Sequence, residues 1–134
     1  MVMERTFSML KPDAVSCGLC GKILSEIEQN GFQILKLRKL RMSKSQAGEF
    51  YKALSSFPFY DELCDYMSSS EIIAMVLEKD NAILDFRELI GTTDPVQARI
   101  GTLRKKYATS KSHNAIHGSD SKDSAEREIT FFEL

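Results

Sequence analysis

The feature that most constrains the fold is a run of six consecutive apolar residues, Ile72 to Leu77, near the middle of the sequence. The run is far shorter than the roughly 20 apolar residues that a membrane-spanning helix needs. A short continuous apolar run of this length is typical of a strand that is buried on both faces, and we predict such a strand here. The chain has 134 residues, a length that fits one compact domain, so we expect a single domain over residues 1–134.

Periodicity and residues that start or stop helices predict the other elements. Strand-like runs cover residues 5–10 and 32–40, and a short extended stretch contains Ile116. The first strand is expected to end in a loop at Lys11-Pro12-Asp13, because proline prevents a central strand from continuing. The predicted helices cover residues 21–30, residues 43–54 with Ser43 as the cap, a short amphipathic stretch after Pro58, a segment capped by Asp80 or Asn81 that ends at Gly91, and a last helix begun by Asp120 or Ser121. This order is close to a split βαβ pattern.

Composition limits the class of partner and the compartment. The sequence is 43% hydrophobic with a formal net charge of −1, so a folded core is expected and no overall field draws the molecule to nucleic acid or to an anionic membrane. Cys17, Cys20 and Cys64 make an odd count, and the segment from Met1 to Arg5 lacks the apolar core of a secretory signal. We therefore expect reduced thiols and a cytoplasmic protein.

A concentrated cationic segment extends from Arg99 to Lys111. It holds Arg99, Arg104, Lys105, Lys106 and Lys111 and contains no acidic residue. A polyphosphate site and a solvated charged face both explain such a segment. The sequence contains no Walker loop and no dinucleotide fingerprint, so side chains would have to hold any phosphate.

The sequence has two histidines, His113 and His117, four residues apart. On a helix they would share a face as metal ligands do, but Asn114 stands where a zinc protease needs Glu. Gly118 clears space beside the His117 imidazole, and the following hydroxyls can cap a helix whose N-terminus suits a phosphate. Glu128 can fix the imidazole tautomer, although a solvated acid on a charged helix face is the alternative.

The sequence from Asn114 to Ser121, Asn-Ala-Ile-His-Gly-Ser-Asp-Ser, resembles the signature of the nucleoside-diphosphate kinase family. The resemblance continues along essentially the whole chain. It includes Glu4-Arg5-Thr6-Phe7 before Lys11-Pro12-Asp13, Pro58-Phe59-Tyr60, Ala74-Met75-Val76 and Gly91-Thr92-Thr93-Asp94-Pro95.

The resemblance implies a ferredoxin-like α+β fold, with a four-stranded antiparallel sheet and helices on one face. It implies ping-pong transfer of a terminal phosphate between nucleotides, through a phosphohistidine on His117, with Mg²⁺ bound through the nucleotide phosphates. The implied helpers of the nucleophile are Tyr51, Ser119 and Glu128. The implied nucleotide contacts are Lys11, Arg87, Thr93 and Arg104 to phosphate, Asn114 and Lys11 to ribose, and Phe59 stacked on the base. Family members form hexamers or tetramers, and a hexamer is favoured here.

Several positions depart from the family's pattern. Lys105-Lys106-Tyr107 stands where Gly-Asp-Phe usually follows the arginine, and Ile100 replaces a proline. Lys111 replaces a small apolar residue that normally covers the second face of the base. Two other classes of protein share the topology: an RNA-binding module, whose aromatic motif is missing here, and a relative that binds nucleotide without catalysis. Intact Lys11 and His117 argue against the second class.

Overall fold

The computed structural model describes residues 3–134. Met1 and Val2, which belong to the segment where no secretory signal is expected, lie outside the described residues. The strands are β1 (Met3–Leu10), β2 (Gln33–Leu40), β3 (Ile72–Asp80) and β4 (Ile116–Gly118). The helices are α1 (Pro12–Ser16), α2 (Cys20–Gln29), α3 (Lys44–Phe50), α4 (Tyr60–Met67), α5 (Ala82–Ile90), α6 (Leu103–Tyr107) and α7 (Lys122–Phe131), with a 3₁₀ turn at Lys52–Leu54.

The strands of residues 3–134 form one four-stranded sheet in the order β2-β3-β1-β4, and every neighbouring pair is antiparallel. β1 lies in the middle, with Phe7 opposite Val76 of β3 on one side and Met9 opposite His117 of β4 on the other. This is the ferredoxin-like α+β arrangement, so the predicted fold class is confirmed. The short strand β4 therefore places His117 beside a central strand.

Helices cover both faces of the sheet, which corrects the expectation that one face alone is covered. Phe86 of α5 and Ile27 of α2 pack with Leu10 and Met75 on one face. On the other face, residues of α3, α4 and the end of the chain pack with β1 and β3: Phe50, Cys64, Met67 and Phe132 with Phe7, Met9 and Ala74. Successive strand residues point to opposite faces, so a strand with a core on each side must be apolar throughout. The apolar run Ile72 to Leu77 is fully buried for this reason.

Several helix starts follow the predicted capping residues. Ser43 forms a capping box with Gln46 at the start of α3, and Ser121 accepts a hydrogen bond of 3.1 Å from the Ser124 amide at the start of α7. Ser121, not Asp120, is thus the cap of the last helix. The helix after Ser43 ends at Phe50, and the chain continues as a 3₁₀ turn instead of an α-helix through Leu54.

Two other local predictions were wrong. Neither Asp80 nor the side chain of Asn81 caps α5. Glu4 of β1 does so, accepting a hydrogen bond of 2.9 Å from the Ile83 amide. The expected loop after β1 is α1, which begins at Pro12, since proline fits the first turn of a helix. In the part of the chain that the structure describes, none of the helices has the length and apolar character needed to cross a membrane.

Candidate active site

His117 lies on β4 and is directed into the face of the sheet that α3 and α7 cover. Its ring centroid lies 5.6 Å from that of Phe50 and 6.0 Å from that of Phe7. The side chain retains about a fifth of its exposure, at 21%. Packing against aromatic rings restricts the imidazole while one part of it stays open to solvent.

The buried carboxylate of Glu128 holds one ring nitrogen of His117. The His117 Nε2 and Glu128 Oε1 atoms are 2.9 Å apart, and the Ser119 hydroxyl donates to the same oxygen at 2.7 Å. A carboxylate at Nε2 favours the tautomer with the proton on Nε2, which leaves the Nδ1 lone pair available. Within residues 3–134, Nδ1 of His117 has no hydrogen-bond partner. The predicted association of His117, Ser119 and Glu128 is therefore present in the structure.

Gly118 faces the opposite side of the sheet from His117. A Cβ atom at this position would lie 2.9 Å from Cδ2 of Phe86 and 3.1 Å from Cδ1 of Ile90. Both side chains belong to the core on the α2 and α5 side. The glycine therefore admits Phe86 and Ile90 close to the strand, and the expectation that it clears space beside the imidazole was wrong.

The backbone just before His117 is held in a strained turn. Ala115 has a φ of +72°, and the Ile116 amide donates to the Asn114 carbonyl at 2.8 Å, which closes a γ-turn of the rare positive-φ kind. Asp13 supports this turn, since its Oδ2 accepts a hydrogen bond of 3.0 Å from the Ala115 amide. Its other oxygen, Oδ1, accepts one from the Tyr66 hydroxyl.

Asp13 is thus a site residue that received no role from the sequence. Its place in Lys11-Pro12-Asp13 is a signal that could have drawn attention to it. An acid directly after the first proline of a short helix is well placed to accept backbone hydrogen bonds from a neighbouring loop. Lys11 completes the connection, because its amide donates to the Ala115 carbonyl at 2.9 Å.

Two buried cations, Lys11 and Arg104, lie close together, at 8% and 7% exposure. Burial, followed by the charge of Arg104, lowers the pKa of Lys11 to about 8. Burial, followed by the charge of Arg87, lowers the pKa of Arg104 to about 10. Arg104 thus lies near both the buried Lys11 and the exposed Arg87, and cations held this close together form a site to which an anion binds favourably.

Backbone carbonyls around His117 orient the two arginines. Arg104 donates to the carbonyls of Gly91 at 3.0 Å and Ile116 at 2.8 Å, and its Nε is buried without a partner in residues 3–134. Arg87 donates to the Gly118 carbonyl at 3.4 Å. The bonds to Ile116 and Gly118 place both guanidinium groups beside the strand that carries His117.

The rest of the cationic segment is paired with protein groups. Arg99 lies 2.7 Å from Glu88 and Lys111 lies 4.0 Å from Asp94, measured between charged atoms. Lys106 and the Tyr107 hydroxyl both bind Glu26 of α2. Lys105 donates to the Val96 carbonyl at 3.3 Å. The two explanations of this segment therefore apply to different residues: Arg104 faces the candidate site, and the others lie on the charged surface.

The remaining predicted residues are brought into the site to different degrees. The Asn114 amide donates to the Thr93 carbonyl at 3.3 Å, and its Oδ1 is buried without a partner in residues 3–134. Phe59 is half exposed at the start of α4. Tyr51 packs on Phe50, burial raises the pKa of its hydroxyl, and within the described residues that hydroxyl makes no hydrogen bond, including none to His117.

The metal-site alternative for the two histidines is not supported by the local structure. Residues 113–117 do not form a helix, so no shared helix face exists, and His113 packs edge-on against Tyr66 at 4.3 Å between centroids. Within residues 3–134, no three His, Cys, Asp or Glu side chains are grouped so that they could hold a metal ion. Cys17 and Cys20 are free thiols.

Comparison with known proteins gives one consistent result. A family model described as "Nucleoside diphosphate kinase" matches residues 4–133. The nucleoside diphosphate kinase of Persephonella marina is 51% identical over 132 residues, which are 98% of this chain and 94% of that protein. The protein of the same name from Chlorobaculum tepidum is 52% identical over 130 residues, 97% of this chain and 93% of that protein.

Solved structures give the same result at the level of the fold. The nucleoside diphosphate kinase of Aquifex aeolicus superposes with a TM-score of 0.95 at 45% identity, and the alignment covers 98% of this chain and 95% of that one. The enzyme of Halobacterium salinarum in complex with CDP superposes with a TM-score of 0.94 at 39% identity, covering 98% and 88%.

Proposed function

The chain belongs to the nucleoside diphosphate kinase family and transfers the γ-phosphate of a nucleoside triphosphate to a nucleoside diphosphate by a ping-pong mechanism, and from this premise we propose that His117 carries the phosphate between the two half-reactions. The observation that supports this assignment is the bond between His117 Nε2 and Glu128 Oε1 at 2.9 Å. It fixes one ring nitrogen and leaves the other free to attack. The RNA-binding module that the topology also allows finds no support in these relatives.

In the first half-reaction, the Nδ1 lone pair of His117 attacks the γ-phosphorus of the donor. A bond between Nδ1 and phosphorus forms, the bond from phosphorus to the bridging β–γ oxygen breaks, and the nucleoside diphosphate leaves with that oxygen. In the second half-reaction, a terminal phosphate oxygen of the acceptor attacks the phosphohistidine and Nδ1 leaves. The Nε2 proton stays on the ring throughout, and the Glu128 carboxylate stabilises the positive charge that the phosphorylated ring acquires.

The cation group stabilises the charge that spreads over the phosphoryl oxygens during transfer. Lys11, Arg87 and Arg104 supply positive charge, and Thr93 supplies a hydroxyl. Little covalent help is needed in phosphoryl transfer, so preset cations and donors account for most of the catalysis. Burial first and the charge of Arg104 second lower the pKa of Lys11, and a bound polyphosphate would offset both by placing negative charge beside the ammonium group.

We assign binding of the ribose and of the base to three residues. Asn114 and Lys11 meet the ribose hydroxyls, and the unpaired buried Oδ1 of Asn114 is an acceptor suited to such a hydroxyl. Phe59 stacks on the base and recognises only its π-face, which explains acceptance of many bases. Tyr51 supports His117 indirectly, because it packs on Phe50 and Phe50 packs on the His117 ring.

We assign Mg²⁺ as the cofactor and propose that it enters with the nucleotide. The side chains gathered at the site are Lys11, Arg87, Arg104 and Asn114, which suit phosphate and ribose oxygens more than a hard cation. Magnesium is therefore held mainly by the phosphates themselves. When bound, it would act as a Lewis acid and neutralise part of the phosphate charge. The protein residues bind and orient the nucleotide around it.

We further propose a single domain over residues 1–134, a cytoplasmic location and a homo-oligomer, with a hexamer favoured over a tetramer. The absence of a membrane-crossing helix in residues 3–134 is compatible with that location. Velocity sedimentation of the purified protein distinguishes the two assemblies by mass.

A labelling experiment tests the nucleophile. The protein is mixed with magnesium and γ-labelled ATP, and the label is tested for lability in acid and stability in alkali before GDP is added. We expect an acid-labile label that passes to GDP in the wild type and in His113→Ala, and no label in His117→Ala. His113 is the matched control because it is exposed and lies outside the Glu128 contact. Label retained in His117→Ala contradicts the assignment.

A further inference from the structure

Phe57, a residue with no role so far, stacks on Phe59 at the start of α4. The two ring centroids are 5.3 Å apart and the planes are inclined by 24°. We propose that Phe57 is a positioning residue for the nucleotide base, which holds the Phe59 ring in the orientation that the base requires. This inference rests on the proposed function, in which Phe59 stacks on the base.

The backbone fixes the relation between the two side chains. The Tyr60 amide donates to the Phe57 carbonyl at 3.1 Å, so residues 57–60 form a β-turn with Pro58 at its second position. Phe59 has a φ of −83° and a ψ of −2°, the values of the third position of a type I turn. Proline is favoured at the second position of that turn, and it restricts the residue before it to extended conformations. The turn therefore sets the positions from which Phe57 and Phe59 project.

The turn itself is tied to the body of the protein at both ends. The Phe57 amide donates to the Leu54 carbonyl at 3.0 Å, and the Leu63 amide of α4 donates to the Phe59 carbonyl at 2.9 Å. The Tyr60 hydroxyl donates to the Gly48 carbonyl of α3 at 2.7 Å. The backbone under the two rings is thus anchored, and the freedom that remains belongs to the side chains.

Exposure shows why Phe59 needs such a support. Phe57 and Phe59 are 49% and 48% exposed, so little of the protein core restrains either ring. An unsupported Phe59 would lose rotamer freedom when a base binds, and that loss would weaken binding. Stacking on Phe57 restricts the ring before the nucleotide arrives. It also covers one face of Phe59 and leaves the opposite face for the base, so a bound base completes a stack of three rings.

The expected effect of removing Phe57 follows from the strength of an aromatic pair. Stacked aromatic pairs contribute beyond their buried area by an amount that corresponds to a change in affinity of ~2- to ~10-fold. The effect falls on nucleotide affinity and leaves the rate at saturation unchanged, because Phe57 does not contact His117 or the cation group. Every base should be affected, and purines more than pyrimidines because they have the larger π-face.

The test measures the dissociation constants of ADP and CDP with magnesium for the unphosphorylated protein by calorimetry, and the rate of phosphohistidine formation at saturating ATP. We expect Phe57→Ala and Phe57→Leu to bind ADP ~2- to ~10-fold more weakly at an unchanged saturating rate, and Phe57→Tyr to bind like the wild type. Leu84→Ala on α5 is the control for loss of an exposed apolar side chain.

Phe57→Leu separates aromatic stacking from mere apolar cover. Unchanged ADP binding in Phe57→Ala, or full affinity in Phe57→Leu, overturns the proposal, and so does a lowered saturating rate with unchanged affinity. Failure of the proposed function is recognised separately, because then the wild-type protein forms no phosphohistidine at all. Thermal unfolding of each variant shows whether the protein as a whole keeps its stability.

Discussion

Replacing Glu128 by glutamine keeps the shape of the contact with His117 and removes its charge. The amide oxygen can still accept from Nε2 and from the Ser119 hydroxyl, at the positions that now lie 2.9 and 2.7 Å from Oε1. A hydrogen bond to a charged group contributes about 1.5–3 kcal/mol, and a neutral one about 0.5–1.5 kcal/mol. The difference, about 1–2 kcal/mol, applies nearly undiminished because Glu128 is buried. It corresponds to ~5- to ~30-fold slower formation of the phosphohistidine.

Rapid-quench measurement of labelled phosphohistidine in a single turnover at saturating ATP gives this rate directly. Glu126→Gln is the matched control, since Glu126 lies on the same helix and is exposed. A Glu128→Gln rate within twofold of the wild type, with unchanged thermal unfolding, would refute the reasoning that the carboxylate charge stabilises the phosphorylated ring.

Three further perturbations test other parts of the site. At about pH 9, Lys11 with its pKa of about 8 is mostly neutral in the free protein. ADP binding should therefore take up close to one proton, which calorimetry in buffers of different ionisation enthalpy measures. Lys11→Arg should abolish this uptake. The same lowered pKa means that the unfolded chain binds more protons between about 8 and 10.5, so this group makes the free protein more stable as the pH rises through that window. Gly118→Ala should destabilise the fold by about 1–3 kcal/mol in urea denaturation because its Cβ meets Phe86, and Gly21→Ala, where a Cβ meets nothing within 4 Å, should not. Asp13→Ala should lower stability by about 1–3 kcal/mol and slow phosphohistidine formation, because the Ala115 amide and the Tyr66 hydroxyl lose their acceptor; Asp61→Ala, at an exposed ion pair, should do neither.

The elements that could be predicted from the sequence are those whose signals are local. The Ser43 and Ser121 hydroxyls accept hydrogen bonds from amides only three residues further along the chain, and the apolar run of β3 needs no knowledge of its neighbours to indicate a buried strand. The association of His117 with Glu128 was also accessible, because the two lie within twelve consecutive residues, on β4 and α7, whereas the place of Ser119 beside Glu128 was implied by the family resemblance.

What could not be predicted depends on contacts between distant parts of the chain. Glu4 caps a helix 79 positions later, a relation that no local pattern contains. The helix α6 escaped prediction because its residues looked like a free cationic stretch. Lys106 and Tyr107 are held by Glu26, some 80 positions earlier. The role of Gly118 was misassigned for a similar reason, since which face of the sheet it meets is known only once β4 is paired with β1.

The pairing of β4 with β1 has a consequence for how the segment from Asn114 to Ser119 can vary. His117 meets the aromatic side of the sheet and Gly118 the opposite core, and the Ser119 amide is bound to the Phe7 carbonyl at 3.2 Å. A shift by one residue would direct the imidazole towards Phe86 and Ile90, because side chains alternate along a strand. The number of residues in this segment can therefore not change by one without exchanging the faces on which its side chains lie. Substitutions can be absorbed one side chain at a time, whereas a single insertion or deletion exchanges the two faces and removes the nucleophile from Glu128.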